Sequence, residues 1–118
     1  MSFLTSAFGA SVAFEAESGT LGSDFAVSNS SSPAYITILS DGAGSNPGSA
    51  ARVASYTVTF PAAGTYQHYA RVRVGSGAFS DDSLFYANGF GSKSPTTGSD
   101  WILVNGLAIL DLRQAQTL

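Results

Sequence analysis

Apolar and polar residues alternate along much of this chain with a period near two, and thirteen glycines with many serines and threonines punctuate the runs. That pattern predicts short, half-buried strands joined by turns rather than amphipathic helices. "SVAFEAE" is the first expected strand, "DFAVS" a short second and "AYITILS" (34–40) a third, followed by the turn-rich loop "DGAGSNPGSA" (41–50). The strongest local signal is "RVASYTVTFPAAGTYQHYARVRV". In it Tyr56, Val58 and Phe60 share one face, and Pro61 and Gly64 break the run. Ala70, Val72 and Val74 then point inward while Tyr69, Arg71 and Arg73 point outward. This predicts a strand, a turn and a second strand. "DDSLFYANGFG" reads as a strand entering a loop, and "DWILVNGL" as another beyond the polar linker "SKSPTTGS". "AILDLRQAQTL" stays open between a final strand and a frayed end. About seven or eight short strands at regular turn spacing predict an all-β fold, a β-sandwich. No internal repeat or linker divides the sequence, so residues 1–118 are expected to form one domain.

Composition narrows the surface that such a fold presents. Apolar residues make up 44% of the chain and aromatics 12%, enough for a core, while only 11% are charged. The polar exterior must therefore be built mainly from Ser, Thr, Asn and Gly, which suits partners that hydrogen-bond without charge, sugars foremost. A net charge of −3 gives no electrostatic footprint for nucleic acid and disfavours anionic membranes. Cysteine is absent, so there is no disulfide framework and no thiolate metal site. The opening "MSFLTSAFGASVAF" lacks a basic n-region and a long apolar h-region, so it does not read as a signal peptide, and no apolar run approaches a membrane span. A secreted parent would make this chain an excised piece.

Within "VAFEAESG", Glu15 and Glu17 stand one residue apart in an apolar run. On an extended strand they would share a face, about 6.5–7 Å apart. That is near the spacing of glycosidase carboxylates, but acids on one strand look the same way and do not flank a sugar. Two hard oxygen donors from one face suit Ca²⁺. A solvated strand face is the plain alternative, with catalysis well behind both.

The segment "GAFSDDSLFYANGFGSKSPTTGSDW" gathers the groups a pyranose needs, rings for its apolar face and hydrogen-bonding groups for its hydroxyl rim. Trp101 and Tyr86 are candidate platforms, Phe79 and Phe90 candidate loop rings, and Asn88, Asp81 and Asp82 candidate rim partners. The competing reading puts Trp101 and one side of the Leu84–Ala87 run in the core. Asp81, Asp82 and Asp100 form either a second cation site or turn and strand caps. Arg71 and Arg73, with Tyr69, either meet sugar or a uronate, or make a solvated face. His68 has no pairing that suggests zinc or nucleophilic catalysis, and "GAGSNPGS" lacks the Lys of a phosphate loop.

Taken together and in order, "FEAESG", "YTVTFPAAGTYQHYARVRV", "DDSLFYANGFG" and "DWILVNGL" resemble the carbohydrate-binding modules of the family 6 and family 35 type, over about residues 12–107. The resemblance implies a jelly-roll β-sandwich of two antiparallel sheets, no catalytic activity, and a structural Ca²⁺ near the amino-terminal strand. It assigns Glu15 and Glu17 to that ion, with backbone carbonyls and an aspartate near the carboxyl end. Family members usually continue with further strands. Here the chain stops soon after Gly106, Asp111 is the one candidate aspartate, and a truncated end or strands supplied by another copy are expected. His68 stands where the family carries an aliphatic residue. The expected function is non-catalytic binding of plant cell-wall or algal polysaccharide, xylan-type favoured, by Trp101, Tyr86, Asn88, Phe90, Phe79 and Asp82. The module would serve a secreted glycoside hydrolase attached in cis. The alternatives are a structural or adhesion sandwich that self-associates through an exposed sheet edge, and a small polysaccharide lyase or hydrolase in its own right.

Overall fold

The computed structural model describes residues 2–6, 10–42, 44–108 and 115–117. Among them are ten short strands: β1 (Ser2–Ser6), β2 (Ser11–Phe14), β3 (Thr20–Leu21), β4 (Phe25–Ser28), β5 (Tyr35–Ile38), β6 (Ala54–Ser55), β7 (Tyr66–Ala70), β8 (Leu84–Ala87), β9 (Trp101–Val104) and β10 (Ala115–Thr117). The regular structure is all-β, apart from four single 3₁₀ turns among the described residues. No helix among them is long and apolar enough to cross a membrane.

Every pairing is antiparallel. Four strands form one sheet in the order β10-β7-β1-β2, and three two-stranded ladders pair β3 with β6, β4 with β5, and β8 with β9. The β4–β5 ladder sets Phe25 opposite Ile38 and Val27 opposite Ile36, so apolar cross-strand pairs line one of its faces. In the β8–β9 ladder, Leu84 opposes Val104 and Tyr86 opposes Ile102 on one side, while Phe85 opposes Leu103 and Ala87 opposes Trp101 on the other.

The alternation read from the sequence survives as burial. Tyr56, Val58 and Phe60 are half-buried and Thr57 and Thr59 exposed, and Ala70, Val72 and Val74 turn inward between exposed Tyr69, Arg71 and Arg73. The pairing differs from expectation. Within 52–60 only Ala54–Ser55 joins a ladder, and its partner is β3, whereas β7 pairs with β1 and β10. The two arms about Pro61–Gly64 are therefore not partners of each other. What joins them is Tyr66, whose hydroxyl donates to the Ala62 carbonyl at 2.6 Å while its ring packs on Phe60 at 4.6 Å between centroids. β1 was not expected, because its short run has too little alternation to identify alone. Its backbone is held between two partners, β2 and β7.

Few side chains are deeply buried. Tyr66, Leu107 and Pro47 are the buried apolar residues among the described ones, and Asp82 lies beside Leu107 with 4% of its surface exposed. His68 is half-buried, its backbone opposite Leu4 and Gln116 in the sheet, and burial holds its imidazole below its ordinary pKa.

Candidate functional site

The paired acids do not share a strand face. β2 ends at Phe14, Glu15 is the residue before a 3₁₀ turn over Ala16–Ser18, and Glu17 lies inside that turn. The cause is local and tertiary together. Ser18 donates from its backbone N–H (3.1 Å) and its hydroxyl (2.6 Å) to the Glu15 carbonyl, closing the turn on itself. Tyr56 then pins it from forty residues away, its hydroxyl donating to the Ala16 carbonyl at 2.6 Å and its ring lying 4.9 Å from that of Phe14. The close fit requires Gly19. A Cβ there would sit 2.4 Å from the Tyr56 Cε1 and 2.7 Å from the Ser55 carbonyl oxygen.

This turn buries one oxygen of each carboxylate. Oε2 of Glu17 is buried and receives no hydrogen bond from the described residues. Oε2 of Glu15 is buried as well, but Glu15 is engaged through another interaction, so Glu17 carries the argument. The solvated strand face is thus not what the fold builds. Burial, and then the Glu17 charge, push the Tyr56 hydroxyl above its ordinary pKa. A buried carboxylate oxygen with no donor fits a cation better than it fits a finished protein interior. The described residues hold no group of three or more His, Cys, Asp or Glu arranged for a metal, so an ion here would complete its shell with backbone carbonyls or water. Asp111, the expected carboxyl-terminal ligand, lies outside the described residues.

The aromatic and polar candidates of 79–101 divide into exposed and committed groups. Phe90 is 66% exposed on the loop after β8, between Gly89 (φ 84°) and Gly91 (φ 92°), both in the left-handed region that glycine adopts freely. Its ring packs edge-on against Phe60 at 5.5 Å. Asn88, also exposed, is anchored by its N–H to the Asp100 carbonyl (2.8 Å) and by its amide to the Ser99 carbonyl (3.1 Å). Lys93 caps it from the other side, donating to the Asn88 carbonyl at 2.7 Å. Trp101 is half-buried and its indole N–H donates to the Ser94 carbonyl at 2.8 Å, so it braces the 88–100 loop and offers only part of its ring outward. Tyr86 is half-buried in the same ladder.

Phe79 is 71% exposed in a separate 3₁₀ turn, Ala78–Ser80. Asp82 is turned inward. Its backbone carbonyl accepts from the Leu107 N–H at 3.1 Å, and its Oδ2 accepts from the Ala108 N–H at 3.4 Å. Burial leaves it a holder of the 107–108 backbone, out of reach of a surface ligand. Asp81 likewise accepts from the Gly77 N–H (2.7 Å) and Asp100 from the Ser94 N–H (2.8 Å). Each of the three aspartates serves as a turn or loop cap, the plainer of the two readings.

No family model, no curated protein and no solved structure matches this chain.

One cluster was not legible in the sequence. Arg52 pairs with Asp24, Nε to Oδ2 at 3.1 Å, and Ser40 donates its hydroxyl to the same oxygen at 2.5 Å. Arg52 Nη2 adds bonds to the Ser40 hydroxyl and the Asp41 carbonyl, both at 3.1 Å. The Ser40 hydrogen bond holds the Asp24 carboxyl below its ordinary pKa against an opposing desolvation effect, with smaller contributions from Arg52. These residues come from three separated segments, and no spacing rule joins them.

Proposed function

We propose that the protein is a non-catalytic carbohydrate-binding module, a jelly-roll β-sandwich with one structural Ca²⁺, that holds a glycoside hydrolase of the same exported polypeptide against polysaccharide. The sandwich reading draws on the corner at Tyr66. A tyrosine at the start of a strand that bonds back to backbone a few residues upstream is the device that fixes a chain passing between the two sheets of such folds.

The observation that carries the sugar reading is Phe90. A ring two-thirds exposed, presented by two left-handed glycines and braced edge-on by Phe60, is a ready ledge for the C–H face of a pyranose. Asn88 beside it supplies amide chemistry for the hydroxyl rim, and the partly exposed Trp101 extends the apolar margin, whereas Tyr86 faces the other side of the β8–β9 ladder. Phe79 stands on its own turn and would add a second contact. Binding rests on stacking with a few hydrogen bonds, is weak per site, and raises the concentration of the attached enzyme on its substrate. Glu15 and Glu17 would hold the calcium, which supplies the positive charge that the Glu17 oxygen lacks and fixes the first strand against Tyr56.

Affinity electrophoresis through xylans, mannans, β-glucans and agarose tests the reading. Wild-type protein should be retarded on at least one gel, xylan foremost, and Phe90→Ala should run freely on it. Free migration of the wild type on the whole panel overturns it.

A second reading, a structural module that self-associates, has its own observation. Val27, Tyr35, Ile38 and Leu39 on and after the two-stranded β4–β5 ladder, with Ile102 and Leu103 on β9, are exposed. Apolar faces with open ladder edges favour pairing with another chain. Light scattering separates the two readings. A stable oligomer that no glycan retards supports the second, and a monomer at all concentrations removes it.

A further inference from the structure

The residues that pair Arg52 with Asp24 also line an open cleft of about 460 Å³, together with Ser23, Ser40, Gly48 and Ser49. We infer that this cleft is a second glycan-contact site, built to take an uncharged, hydroxyl-rich unit of the same polysaccharide that the Phe90 ledge engages. The inference rests on the carbohydrate reading above and goes beyond it by assigning a separate site with different chemistry.

Charge comes first. The guanidinium of Arg52 and the carboxylate of Asp24 neutralise one another inside the cleft, so neither a bare anion nor a bare cation is favoured there. The remaining hydrogen-bonding capacity is that of a polyol reader. Asp24 Oδ2 is occupied by Ser40 and Arg52, which leaves Oδ1 to accept from a ligand hydroxyl. The Ser49 hydroxyl oxygen accepts from the Ala51 N–H at 3.2 Å, so its own proton points to another acceptor. Ser23 adds an exposed hydroxyl. No aromatic ring lines the cleft among the described residues, so it reads hydroxyls where Phe90 reads a ring face.

The site is also held in shape before any ligand arrives. The Asp24 N–H donates to the Ala51 carbonyl and the Gly22 N–H to the Val53 carbonyl, both at 2.9 Å. At Gly22 the backbones approach so closely that a Cβ would lie 2.3 Å from the Ala51 carbonyl oxygen. Arg52, Ser40 and Asp41 are tied by the bonds already described. Groups fixed in this way lose little further freedom when they bind.

The cleft is tied to the loop that carries Phe90. Gly48 lines the cleft, and its N–H donates to the Pro95 carbonyl at 2.8 Å, while the Asn46 amide donates to the Thr96 carbonyl at 3.2 Å. That second segment belongs to the 88–100 loop which carries Phe90 and is braced by Trp101. One glycan lying across the seam between 45–48 and 94–98 would meet both. The unit in the cleft is either a further residue of the main chain or a branch.

The test uses Ser23→Trp, which fills the cleft from an exposed position and leaves Asp24, Ser40 and Arg52 intact, with xylobiose, xylohexaose and an arabinose-branched xylan as probes. Ser23→Trp should weaken xylohexaose or branched xylan at least tenfold and leave xylobiose unchanged, whereas Phe90→Ala should lose all three. Loss on the hexasaccharide assigns the cleft to the main chain, and loss on the branched polymer alone assigns it to the side unit. In wild-type protein the Arg52 Nε–H resonance should shift on adding whichever probe the substitution weakens, a readout that does not depend on the variant folding. Wild-type affinity of Ser23→Trp for every probe, with an unmoved Arg52 resonance and binding still lost in Phe90→Ala, overturns the second site alone. Failure of the wild type to bind any of the wider panel overturns the carbohydrate reading and this site with it.

Discussion

Two carboxylates on this molecule are treated in opposite ways. Asp24 receives a hydroxyl and a guanidinium from its own chain, and they hold it ionised. Glu17 is drawn into a turn sealed by Tyr56, with one oxygen buried and no donor against it among the described residues. The fold completes the first charge internally and gives the buried oxygen of the second no donor among the described residues. Desolvating a charge without a partner is expensive, so a turn that does so persists best where an ion offsets it.

The largest expected effect breaks this contrast at Glu17. Calcium at a hundredfold excess over its Kd should stabilise the wild type by about 2.7 kcal/mol, a rise in Tm of about 10 °C. Glu17→Gln should abolish that rise and, without calcium, melt no lower than wild type, because the buried Oε2 has no hydrogen bond to lose. Asp24→Asn should lower Tm by the same few degrees with and without calcium. Thermal melts in chelator and in millimolar calcium read all three, and a calcium-independent wild-type Tm would erase the contrast.

Next in size is the closure of the turn. Gly19→Ala drives a methyl into the Tyr56 ring and the Ser55 carbonyl, and should destabilise by about 1–3 kcal/mol in urea unfolding. Tyr56→Phe keeps the ring on Phe14 and deletes the hydrogen bond to Ala16, for a loss of about 1 kcal/mol. It should also weaken calcium binding, because the carbonyl at the centre of the turn is released. A Tyr56→Phe variant with unaltered calcium affinity would separate the turn's shape from the ion.

The smallest effect sharpens the comparison by pH. Burial depresses the His68 pKa, so the folded chain keeps the ring neutral while the unfolded chain takes up a proton below about 6.5. Its contribution is fully present above that pH and is lost as pH falls through the folded value. Asp24 is likewise depressed, and its contribution is present above about 3.9 and lost on further acidification. The two windows do not coincide. His68→Leu should flatten the stability curve just below pH 6.5 and leave the steeper acid limb, as chemical denaturation at stepped pH would show.

What was readable in the sequence, and what was not, follows from the range of the interactions involved. Period-two alternation is a property of neighbouring residues, so the inward set Ala70, Val72 and Val74 and the strands of "YITI" and "LFYA" could be read directly. The partners of those strands could not, because the register of β7 with β1 and β10 is set by segments far along the chain. The acids of "EAESG" were legible as a pair but not as a turn, since Tyr56 lies forty residues downstream. Phe90 stood out through its flanking glycines, whereas Asp82 looked identical to its exposed neighbour Asp81 until the 107–108 backbone closed over it. The Asp24, Ser40 and Arg52 cluster is assembled wholly by tertiary structure.

Trp101 is the chain's single tryptophan, and its indole N–H is bonded to a carbonyl of the loop that carries Asn88 and Phe90. If that loop lifts away, the ring exchanges a fixed carbonyl for bulk water and its emission moves to longer wavelength. The molecule therefore carries a single tryptophan fluorophore at the edge of the proposed binding surface, able to report loop opening without any label.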